Sequence, residues 1–418
     1  MIMASIVRYT DRTGLPGSGW EHVMKRKIKL KQLIILFFGL CATLPDVTMM
    51  AQDRPLPFTV QSGLFDYSRS GTLGLDFAPD TRTCTIFQPQ DSTDKYSHGV
   101  VLVAFRGCLY AQWQSSSRDE DAPDTRVVYS RSSDGYHWTK PMILASVRDE
   151  GICTGGGWWT NDSMLVAYIN VWPRQQNPKG GFTEYTTSTD GMTWSDRKPL
   201  MDIRDEPVSG IFEQDPHALP DGRIISAIHE QPGLNVAPYY TDDPSGIRGW
   251  TRGFMKNLPF EGTTSREMEP GWFCQADGTI VMIFRDQAGS FRNLASVSRD
   301  RGQTWSMPVM TGMPDSRSKQ CAGNFPDGTA FMVNNPVKNK NRIPLVITLS
   351  KDGRHFDRAF LLRKGGADLQ PLRYQGRYKS PGYSYPKAII WNHFLYVSYA
   401  TNKEDVELTR VPLASLVY

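Results

Sequence analysis

Arg285 and Arg342 are two side chains of this sequence that could bind an anion. Each guanidinium group is a planar fork of donors that pairs with both oxygens of a carboxylate and keeps its charge at neutral pH. Two such forks that converge from different parts of a fold would form a carboxylate site. Either arginine could instead form a salt bridge with Asp286 or with another surface acid.

Tyr383 and His98 are side chains that could exchange protons with a ligand. A phenol is neutral at neutral pH, so a tyrosine can approach an anionic ligand without the repulsion that a carboxylate would meet. Tyr383 and Tyr385 could equally be buried aromatics whose hydroxyl groups bond the backbone. His98 has three interpretations, which are a general acid or base, a neutral core imidazole, and a weak clamp for an anion.

The cysteines and the other histidines form no recognisable metal or disulfide pattern. Beyond residue 51 the five cysteines include no close Cys-x-x-Cys pair, which predicts small buried residues in strands. His217, at the end of residues 213–217, and His229 add titratable groups, but a metal needs three or four ligands that converge. The sequence therefore predicts no metal and no cofactor.

A short pattern recurs along the chain: Ser or Thr, any residue, Asp, Gly, two residues, and an aromatic. We call it an Asp box. Clean copies occupy residues 132–138, 188–194 and 350–356, and residues 298–305 carry one inserted residue. The box aspartates are 56, 110 and 52 residues apart, so the double gap predicts a degenerate copy between Asp242 and Trp250.

Each residue type in an Asp box has a structural task. The Asp and Ser or Thr oxygens accept backbone N–H groups of a turn, the Gly adopts a positive φ, and the aromatic packs between layers. The boxes are therefore predicted to fasten hairpins and to take no part in catalysis.

Apolar, β-rich runs follow Asp-Gly turns in step with the boxes, at residues 223–228, 279–284 and 329–333. Two short strands joined by a turn, followed by the strand that enters the boxed hairpin, make a four-stranded antiparallel blade. The fold class is predicted as all-β, a β-propeller of six such blades. The blades are expected to open near His98, Gly151, Phe212, Glu267, Lys319 and Lys379.

Residues 57–97 are too few for another full blade of about 55 residues. They are predicted to supply a strand that closes the ring against the C-terminal blade. A seventh blade would require this stretch to form three strands of its own.

Four Asp boxes in a six-unit propeller resemble the sialidase superfamily over nearly the whole chain beyond residue 51. The resemblance implies a site in which three arginines hold the substrate carboxylate, a Tyr backed by a Glu is the nucleophile, and an Asp is the acid and base. Gly382-Tyr383-Ser384 resembles the nucleophile motif, which implies that Tyr383 is the nucleophile. Glu269 and Arg285, on either side of Asp277-Gly278, resemble the supporting base and the second arginine.

The remaining site residues implied by the resemblance come from two further segments. Arg342 follows Asn335-Pro336 and precedes the apolar run 345–350, as the third arginine does. Residues 118–122 resemble the acidic loop of the first blade, with Asp119 as the acid and base.

One position departs from the family pattern. The first arginine normally opens the first blade in an Arg-Ile-Pro motif, and this chain has His98 there; Arg342-Ile343-Pro344 falls in the fifth blade. Three lysines near inner strands could compensate, namely Lys319, Lys379 and Lys387.

The resemblance implies an exo-acting glycosidase for a terminal acidic sugar, like sialic acid, or for a linkage next to one. Because the first arginine is missing, two alternatives stay open. The chain also resembles propeller hydrolases and lyases that act on rhamnose–glucuronate linkages, in which His98 would be the acid and base. It could also be a glycan-binding propeller without catalysis. The expected partner is an acidic oligosaccharide or polysaccharide, and the expected state is a monomer.

A targeting segment precedes the propeller. Five Lys and Arg between residues 25 and 31 come before an apolar run, 33–44, and the small residue Ala51, which together predict a signal peptide. The run is shorter than the roughly 20 residues of a membrane-spanning helix. Leu40 is large where a lipoprotein signal needs a small residue before Cys41. We therefore expect a secreted or periplasmic protein in which residues 1–51 are a signal peptide with an upstream extension and residues 52–418 are one catalytic propeller domain.

The charge of the chain gives no sign of a nucleic acid partner. Residues 1–51 hold seven of the 47 Lys and Arg and three of the 43 Asp and Glu, which leaves 40 of each. Beyond the targeting segment the protein is therefore formally neutral, and no global basic field is present.

Overall fold

The structure is a computed structural model that describes residues 55–416. In this part of the chain, six antiparallel sheets form the blades of a propeller, which confirms the predicted fold class. The predicted signal peptide, residues 1–51, lies outside the described residues.

The first half of the propeller contains two N-terminal strands and three blades. The N-terminal strands are β1 (Thr59–Val60) and β2 (Arg82–Phe87). The first blade contains β3 (Tyr96–Phe105), β4 (Cys108–Ser116), β5 (Arg126–Ser132) and β6 (Met142–Ala145). The second contains β7 (Gly151–Thr160), β8 (Leu165–Pro173), β9 (Phe182–Ser188) and β10 (Lys198–Pro199). The third contains β11 (Gly210–Phe212), β12 (His217–Ala218), β13 (Ile224–Glu230), β14 (Asn235–Thr241) and β15 (Thr251–Arg252).

The second half contains three more blades and two short 3-10 helices. The fourth blade contains β16 (Glu267–Cys274), β17 (Ile280–Asp286), β18 (Arg292–Ser298) and β19 (Val309–Pro314). The fifth contains β20 (Cys321–Asn324), β21 (Ala330–Asn334), β22 (Leu345–Ser350) and β24 (Arg358–Arg363), with β23 (His355–Phe356) beside it. The sixth contains β25 (Tyr383–Trp391), β26 (Phe394–Thr401) and β27 (Asp405–Pro412). The helices are Gly366–Asp368 and Leu413–Ser415.

The ring is closed by the strand that the sequence predicted from residues 57–97. β2 pairs antiparallel with β27 and becomes the outermost strand of the sixth blade. Thr83 and Thr409 face each other in this pairing, with their hydroxyl oxygens 2.9 Å apart. The remaining N-terminal strand, β1, pairs in parallel with β23. These residues therefore add to existing blades and do not build a seventh.

The Asp boxes form the hydrogen bonds that their residue types predict. Oδ1 of Asp190 accepts the backbone N–H groups of Met192 and Thr193, each at 2.7 Å. Oγ of Ser188 accepts the N–H group of Gly191 at 2.8 Å and donates to Asp190. These bonds hold the pKa of Asp190 below its ordinary value, with the N–H of Thr193 as the largest cause. The boxes thus fix tight hairpins between the third and fourth strands of their blades.

The degenerate copy lies where the spacing predicted it, with a shifted start. Asp243 takes the position of the box aspartate and accepts the N–H group of Ser245 at 2.9 Å. Thr241 takes the position of the box hydroxyl and accepts the N–H group of Asp243 at 3.0 Å. Asp242 instead forms a salt bridge with Arg223 at 2.7 Å.

The box aromatics pack between neighbouring blades. Trp194 of the second blade contacts Tyr129 of the first blade and Trp158, with ring centroids 5.6 and 5.9 Å away. Phe356 of the fifth blade is buried and contacts Phe273 of the fourth blade at 5.6 Å. Aromatic pairs of this kind add to the stabilisation that area burial provides. The aromatics of these Asp boxes therefore join the second blade to the first and the fifth blade to the fourth.

Replacing Asp190 with Ala should lower the melting temperature of the protein and leave its activity unchanged. The substitution strands two backbone N–H groups of the turn, and the turn lies outside the cavity described below. Asp190→Asn keeps an acceptor oxygen and should lower the melting temperature less. Unchanged stability with lost activity in Asp190→Ala would contradict the structural task of the box.

The five cysteines of the described residues all lie in strands and form no disulfide with one another. Two of them, Cys153 and Cys321, are buried, and the others are half-buried. Between residues 55 and 416 there is no helix with the length and apolar character that crossing a membrane requires.

Candidate functional site

Bulges interrupt the innermost strands of four blades. Pairing shifts between His98 and Val101 in β3, between Gly155 and Gly157 in β7, between Met268 and Gly271 in β16, and between Ser384 and Lys387 in β25. A bulge inserts an extra residue and re-aims a side chain. Four inner strands therefore turn side chains out of the regular alternation near the axis.

Glu269 and Tyr385 lie on two of these bulges with left-handed backbone. Their φ angles are 52° and 57°, a conformation that costs a residue other than glycine about 1–3 kcal/mol. Each is followed by a proline, Pro270 and Pro386. Proline cannot donate to a sheet ladder, so within a strand it marks an edge or a bulge. This signal was readable in the sequence and would have directed attention to Tyr385.

Glu269, Tyr385 and Arg285 form a three-way contact between the fourth and sixth blades. The hydroxyl of Tyr385 donates a short hydrogen bond to Oε1 of Glu269. Nη1 of Arg285 lies 2.9 Å from Oε2 of Glu269 and donates to the Tyr385 hydroxyl at 3.4 Å. Arg285 thus orients the carboxylate that accepts the hydrogen bond of the phenol. This is the arrangement of a nucleophile and its base.

The predicted contact of Tyr383 with Glu269 is wrong, because Tyr385 occupies that position. Tyr383 is fully buried, and its hydroxyl donates to the carbonyl oxygen of Lys364 at 2.9 Å. Its ring packs edge-on against Tyr399 with centroids 5.7 Å apart. The bulge after Ser384 breaks the strand alternation, so two tyrosines two residues apart face different surroundings.

Arg342 also contacts the ring of Tyr385. Its guanidinium carbon is 5.4 Å from the centroid of the Tyr385 ring, and its Nη1 donates to Oγ of Ser384 at 2.9 Å. Gly382 allows the segment before Tyr383 to pack closely against the backbone of Arg342. Its φ is 125°, and a Cβ there would lie 2.8 Å from the carbonyl oxygen of Arg342. Arg285 and Arg342 therefore meet at one tyrosine, but that tyrosine is not the one predicted.

Arg342 differs from the other cations around Tyr385 in having no carboxylate partner. Arg285 pairs with Glu269, and Lys319 pairs with Glu213 at 2.5 Å. Among residues 55–416, Arg342 forms no salt bridge. Its charge is thus available to a ligand.

His98 contacts the same tyrosine from the first blade. Its ring centroid lies 4.1 Å from that of Tyr385, and the residue is only 2% exposed. Neither ring nitrogen has a hydrogen-bond partner within the described residues. Burial lowers the pKa of His98 well below its ordinary value, and the charges of Lys403 and Arg342 lower it further. A neutral imidazole fits an acid–base role better than the clamp for an anion.

Asp119 does not converge with the other predicted residues. Its Oδ1 accepts the backbone N–H group of Arg377 at 2.7 Å, its side chain is 38% exposed, and it is not among the residues lining the cavity. The next two residues of the loop, Glu120 and Asp121, do line it. The predicted acidic loop therefore reaches the site with different members than expected, because the Arg377 segment binds Asp119.

A cavity of about 210 Å³ lies beside Tyr385, Glu269 and His98, but neither Arg285 nor Arg342 is among the residues that line it. Residues of all six blades line it, among them His98, Glu120, Asn170, Glu213, Glu269, Lys319 and Tyr385. Trp172 adds an aromatic wall of the kind on which sugar rings pack. The cavity therefore combines the phenol, its base and an imidazole in one space.

A buried ionic network lies beneath the phenol. Glu213 pairs with Lys319, and its other oxygen lies 3.2 Å from Nε2 of His229. Burial would raise the pKa of Glu213, but Lys319 and His229 outweigh burial and hold it below its ordinary value. The ammonium group of Lys319 is 5.6 Å from the centroid of the Tyr385 ring. Of the three lysines considered as substitutes for the first arginine, Lys319 is thus beside the phenol.

The other two lysines are engaged elsewhere. Lys387 pairs with Asp215 at 3.1 Å, and neither residue lines the cavity. Lys379 donates to the carbonyl oxygens of Lys95 and Tyr374 at 2.6 and 3.0 Å. No group of three or more metal-ligating side chains that could hold an ion is found in the described part of the chain.

A family model of BNR repeat-like domains matches residues 107–397, which is more than half of the chain. The chain belongs to the BNR repeat-like domain family. With its six blades and its structural neighbours, it is a member of the sialidase-type β-propeller superfamily, as its Asp boxes predicted. A search of curated proteins found no match.

Solved structures share the fold at low sequence identity. A sialidase matches 85% of this chain with 19% identity and a TM-score of 0.56, and this chain spans 35% of the length of that protein. The intramolecular trans-sialidase from Ruminococcus gnavus, in complex with oseltamivir carboxylate, matches 83% of this chain and 99% of its own with 13% identity and a TM-score of 0.59. A protein of unknown function from Dyadobacter fermentans matches 80% and 99% with 15% identity and a TM-score of 0.62. The likeness establishes the propeller fold.

Proposed function

We propose that this protein is an exported, exo-acting glycoside hydrolase that removes a terminal acidic sugar, of the sialic acid type, from complex glycans. The contact between Tyr385 and Glu269 carries the proposal, because a phenol bonded to a carboxylate within a cavity is an activated nucleophile. The superfamily and the sialidases among the structural neighbours support the reaction class. The signal-peptide pattern of residues 1–51 supports export.

The first step transfers the phenolic proton. Burial raises the pKa of Tyr385 well above its ordinary value, and the charge of Glu269 raises it further, against the opposing effect of Arg285. Free phenolate is therefore scarce at neutral pH. As the phenol oxygen bonds to the anomeric carbon, the glycosidic C–O bond breaks and the released oxygen takes a proton from water, while Glu269 takes the phenolic proton through the existing hydrogen bond. A neutral phenol also avoids repulsion by the acidic sugar.

Arg342 supplies the attraction for the acid group of the sugar. It is a cation without a carboxylate partner in the described structure and lies against the ring of the proposed nucleophile. A planar guanidinium pairs bidentately with a carboxylate. An acidic sugar held by Arg342 would lie beside Tyr385.

Digestion of a glycan panel with analysis of the products by mass tests the proposal. We expect release of single acidic sugars from chain ends. Release of internal fragments would exclude exo action, and an intact panel together with retained glycan binding would support a non-catalytic propeller.

His98 favours a second candidate, a lyase or hydrolase for rhamnose–glucuronate linkages. A neutral imidazole in contact with Tyr385 could remove the C5 proton of a uronate, while the bond from C4 to oxygen breaks and a C4–C5 double bond forms. The unsaturated product absorbs ultraviolet light, which distinguishes elimination from hydrolysis.

The substitution His98→Arg separates the two candidates. If His98 only stands where another arginine would help to bind the substrate, the variant should raise kcat/KM for a sialoside by roughly tenfold, the effect of about 1.4 kcal/mol. Steady-state kinetics with sialyllactose measures the change, and the native glycan serves as the second substrate. Abolished turnover of the native glycan would support a catalytic His98 and the rhamnose–glucuronate reaction.

A further inference from the structure

Two cavities outside the candidate site lie on the fourth and fifth blades, where the N-terminal segment 60–73 packs against them. One cavity, of about 370 Å³, lies between this segment and the fourth blade. The other, of about 580 Å³, lies between this segment and the fifth blade. Tyr67 and Lys338 line both cavities, which therefore adjoin each other at these two side chains. We call the two cavities together the Tyr67 groove.

The Tyr67 groove differs in charge from the cavity beside Tyr385. Four carboxylates line that cavity, whereas no Asp or Glu of the described residues lines the Tyr67 groove. The cations of the groove are Arg292 and Lys338. Both are exposed, and neither forms a salt bridge between residues 55 and 416. Their charges are thus available to an anionic ligand.

Tyr67 places an aromatic ring beside these two cations. Nζ of Lys338 lies 4.5 Å from the centroid of the ring. Burial raises the pKa of Tyr67, and the charge of Arg292 opposes this effect, which shows that Arg292 is also near. The residue is 39% exposed, so part of the ring is open to a ligand. An aromatic ring offers an apolar surface on which a sugar ring can pack.

The loop that carries Tyr67 is fixed to the propeller. Phe65 and Leu73, on either side of it in the chain, are buried in a core cluster. The backbone N–H group of Gly365, at the end of the fifth blade, donates to the carbonyl oxygen of Gly71 at 2.8 Å. The groove is therefore formed before a ligand arrives, which reduces the entropy that binding costs.

The Tyr67 groove begins next to Arg342. Asn341 and Ile343, its two neighbours in the chain, line the larger cavity. Neighbouring Cα atoms are only about 3.8 Å apart. The other neighbour of Arg342 is the ring of Tyr385. One long ligand could therefore contact Arg342 and the groove at the same time.

We propose that the Tyr67 groove is a second binding site, whose ligand is an anionic polysaccharide. Tyr67 packs against one sugar ring, and Arg292 and Lys338 pair with carboxylates of acidic sugars in the polymer. Arg342 can bind a further acidic sugar of the same polymer. Two adjoining sites on one polymer raise the effective concentration of each for the other, so a polymer binds more tightly than a single sugar. Such binding goes beyond the proposed hydrolase function and needs no turnover.

Electrophoresis of the full chain through native gels that contain a polysaccharide measures this binding. Colominic acid supplies sialic acid units, polygalacturonate supplies uronic acid units, and dextran is the neutral comparison. We expect retardation by at least one acidic polymer and none by dextran, and the stronger retardation identifies the acidic sugar. The double variant Arg292→Gln/Lys338→Gln should raise the Kd roughly tenfold, as the loss of two exposed ion pairs would. It should also make the remaining binding less sensitive to salt, because fewer screened charge contacts are left.

Lys198→Gln/Lys351→Gln is the matched control for the loss of charge. Both lysines are exposed, lie outside the Tyr67 groove and form no salt bridge in the part of the chain that the structure describes. After correction for mobility in gels without polymer, this variant should bind as wild type does. Tyr67→Ala should raise the Kd severalfold with the salt dependence unchanged, because it removes a ring and no charge.

Several results would overturn the second site. They are unchanged binding in Arg292→Gln/Lys338→Gln, an equal loss in the control variant, retardation by dextran, and binding to phosphatidylserine vesicles in place of either acidic polysaccharide. A wild-type protein that releases sialic acid from sialyllactose but is not retarded by either acidic polymer would overturn the second site and leave the hydrolase function standing. Retardation of a protein that turns over no glycan would do the reverse.

Discussion

Tyr385→Phe should lower kcat for the acidic glycan by about 10³-fold or more, as expected when a nucleophile is removed. The substitution deletes the oxygen that binds Glu269 and Arg285 and leaves the ring between His98 and Arg342. Substrate affinity, measured by titration calorimetry, should therefore remain within severalfold of wild type. Lost turnover with retained binding would also exclude a propeller that only binds glycans.

Tyr383→Phe is the matched control. It removes one hydroxyl from the neighbouring tyrosine, whose hydrogen bond to Lys364 lies outside the cavity. We expect wild-type kinetics and a loss of about 0.5–1.5 kcal/mol in the free energy of unfolding, the usual contribution of one hydrogen bond. If Tyr383→Phe abolished turnover and Tyr385→Phe did not, the assignment of the nucleophile would be reversed.

Arg342→Met should lower kcat/KM for the acidic substrate by roughly 10- to 100-fold, which corresponds to a lost hydrogen-bonded charge contact of about 1.5–3 kcal/mol. The guanidinium group has no carboxylate partner to leave stranded, so the effect should fall on substrate binding more than on stability. Steady-state kinetics and thermal unfolding measure the two effects separately.

The methyl ester of the sialoside provides the control for Arg342. The ester carries no charge, so its turnover should change little between wild type and Arg342→Met. An equal loss for acid and ester would show that Arg342 supports the fold of the site and does not bind the acid group.

The architecture was predictable because its determinants are local. An Asp box uses its own hydroxyl, carboxylate and glycine to fix one hairpin, and the same few residues recur in four of the six blades. The closing strand was predictable from length alone, because residues 57–97 are too few for a blade. The degenerate box followed from the spacing, and only its first residue was misplaced, since Asp243 and not Asp242 accepts the turn N–H.

Part of the candidate site was predictable because a recognisable turn marks the strands that carry it. Arg285 faces Met268 across two strands, so the pair of strands that carries Glu269 and Arg285 could be read from the turn between them. Tyr385 could not be predicted in this way. A bulge after Ser384 breaks the strand alternation, so that Tyr385 and not Tyr383 contacts Glu269. Proline after Glu269 and after Tyr385 was the one local sign of these bulges.

The acidic loop, residues 118–122, was predictable as a loop, but the carboxylate that enters the cavity was not. Which of its carboxylates enters the cavity depends on two partners far away in sequence, Arg377 and Lys403. Arg377 takes Asp119, and Lys403 takes Glu120. Neither contact has a counterpart in local spacing, so a motif match could find the loop and not the side chain.

The pairing of β2 with β27 also determines when the propeller ring can close as the chain is synthesised. The closing strand is synthesised before the six blades, whereas its partner, Asp405–Pro412, is synthesised after the other five. Pairing of such distant segments carries the largest loop-closure entropy and is slow. Until the C-terminal strand arrives, the edge of β2 stays unpaired and open to other chains. The time between translation of these two strands is thus the interval in which a chaperone would protect this chain from aggregation.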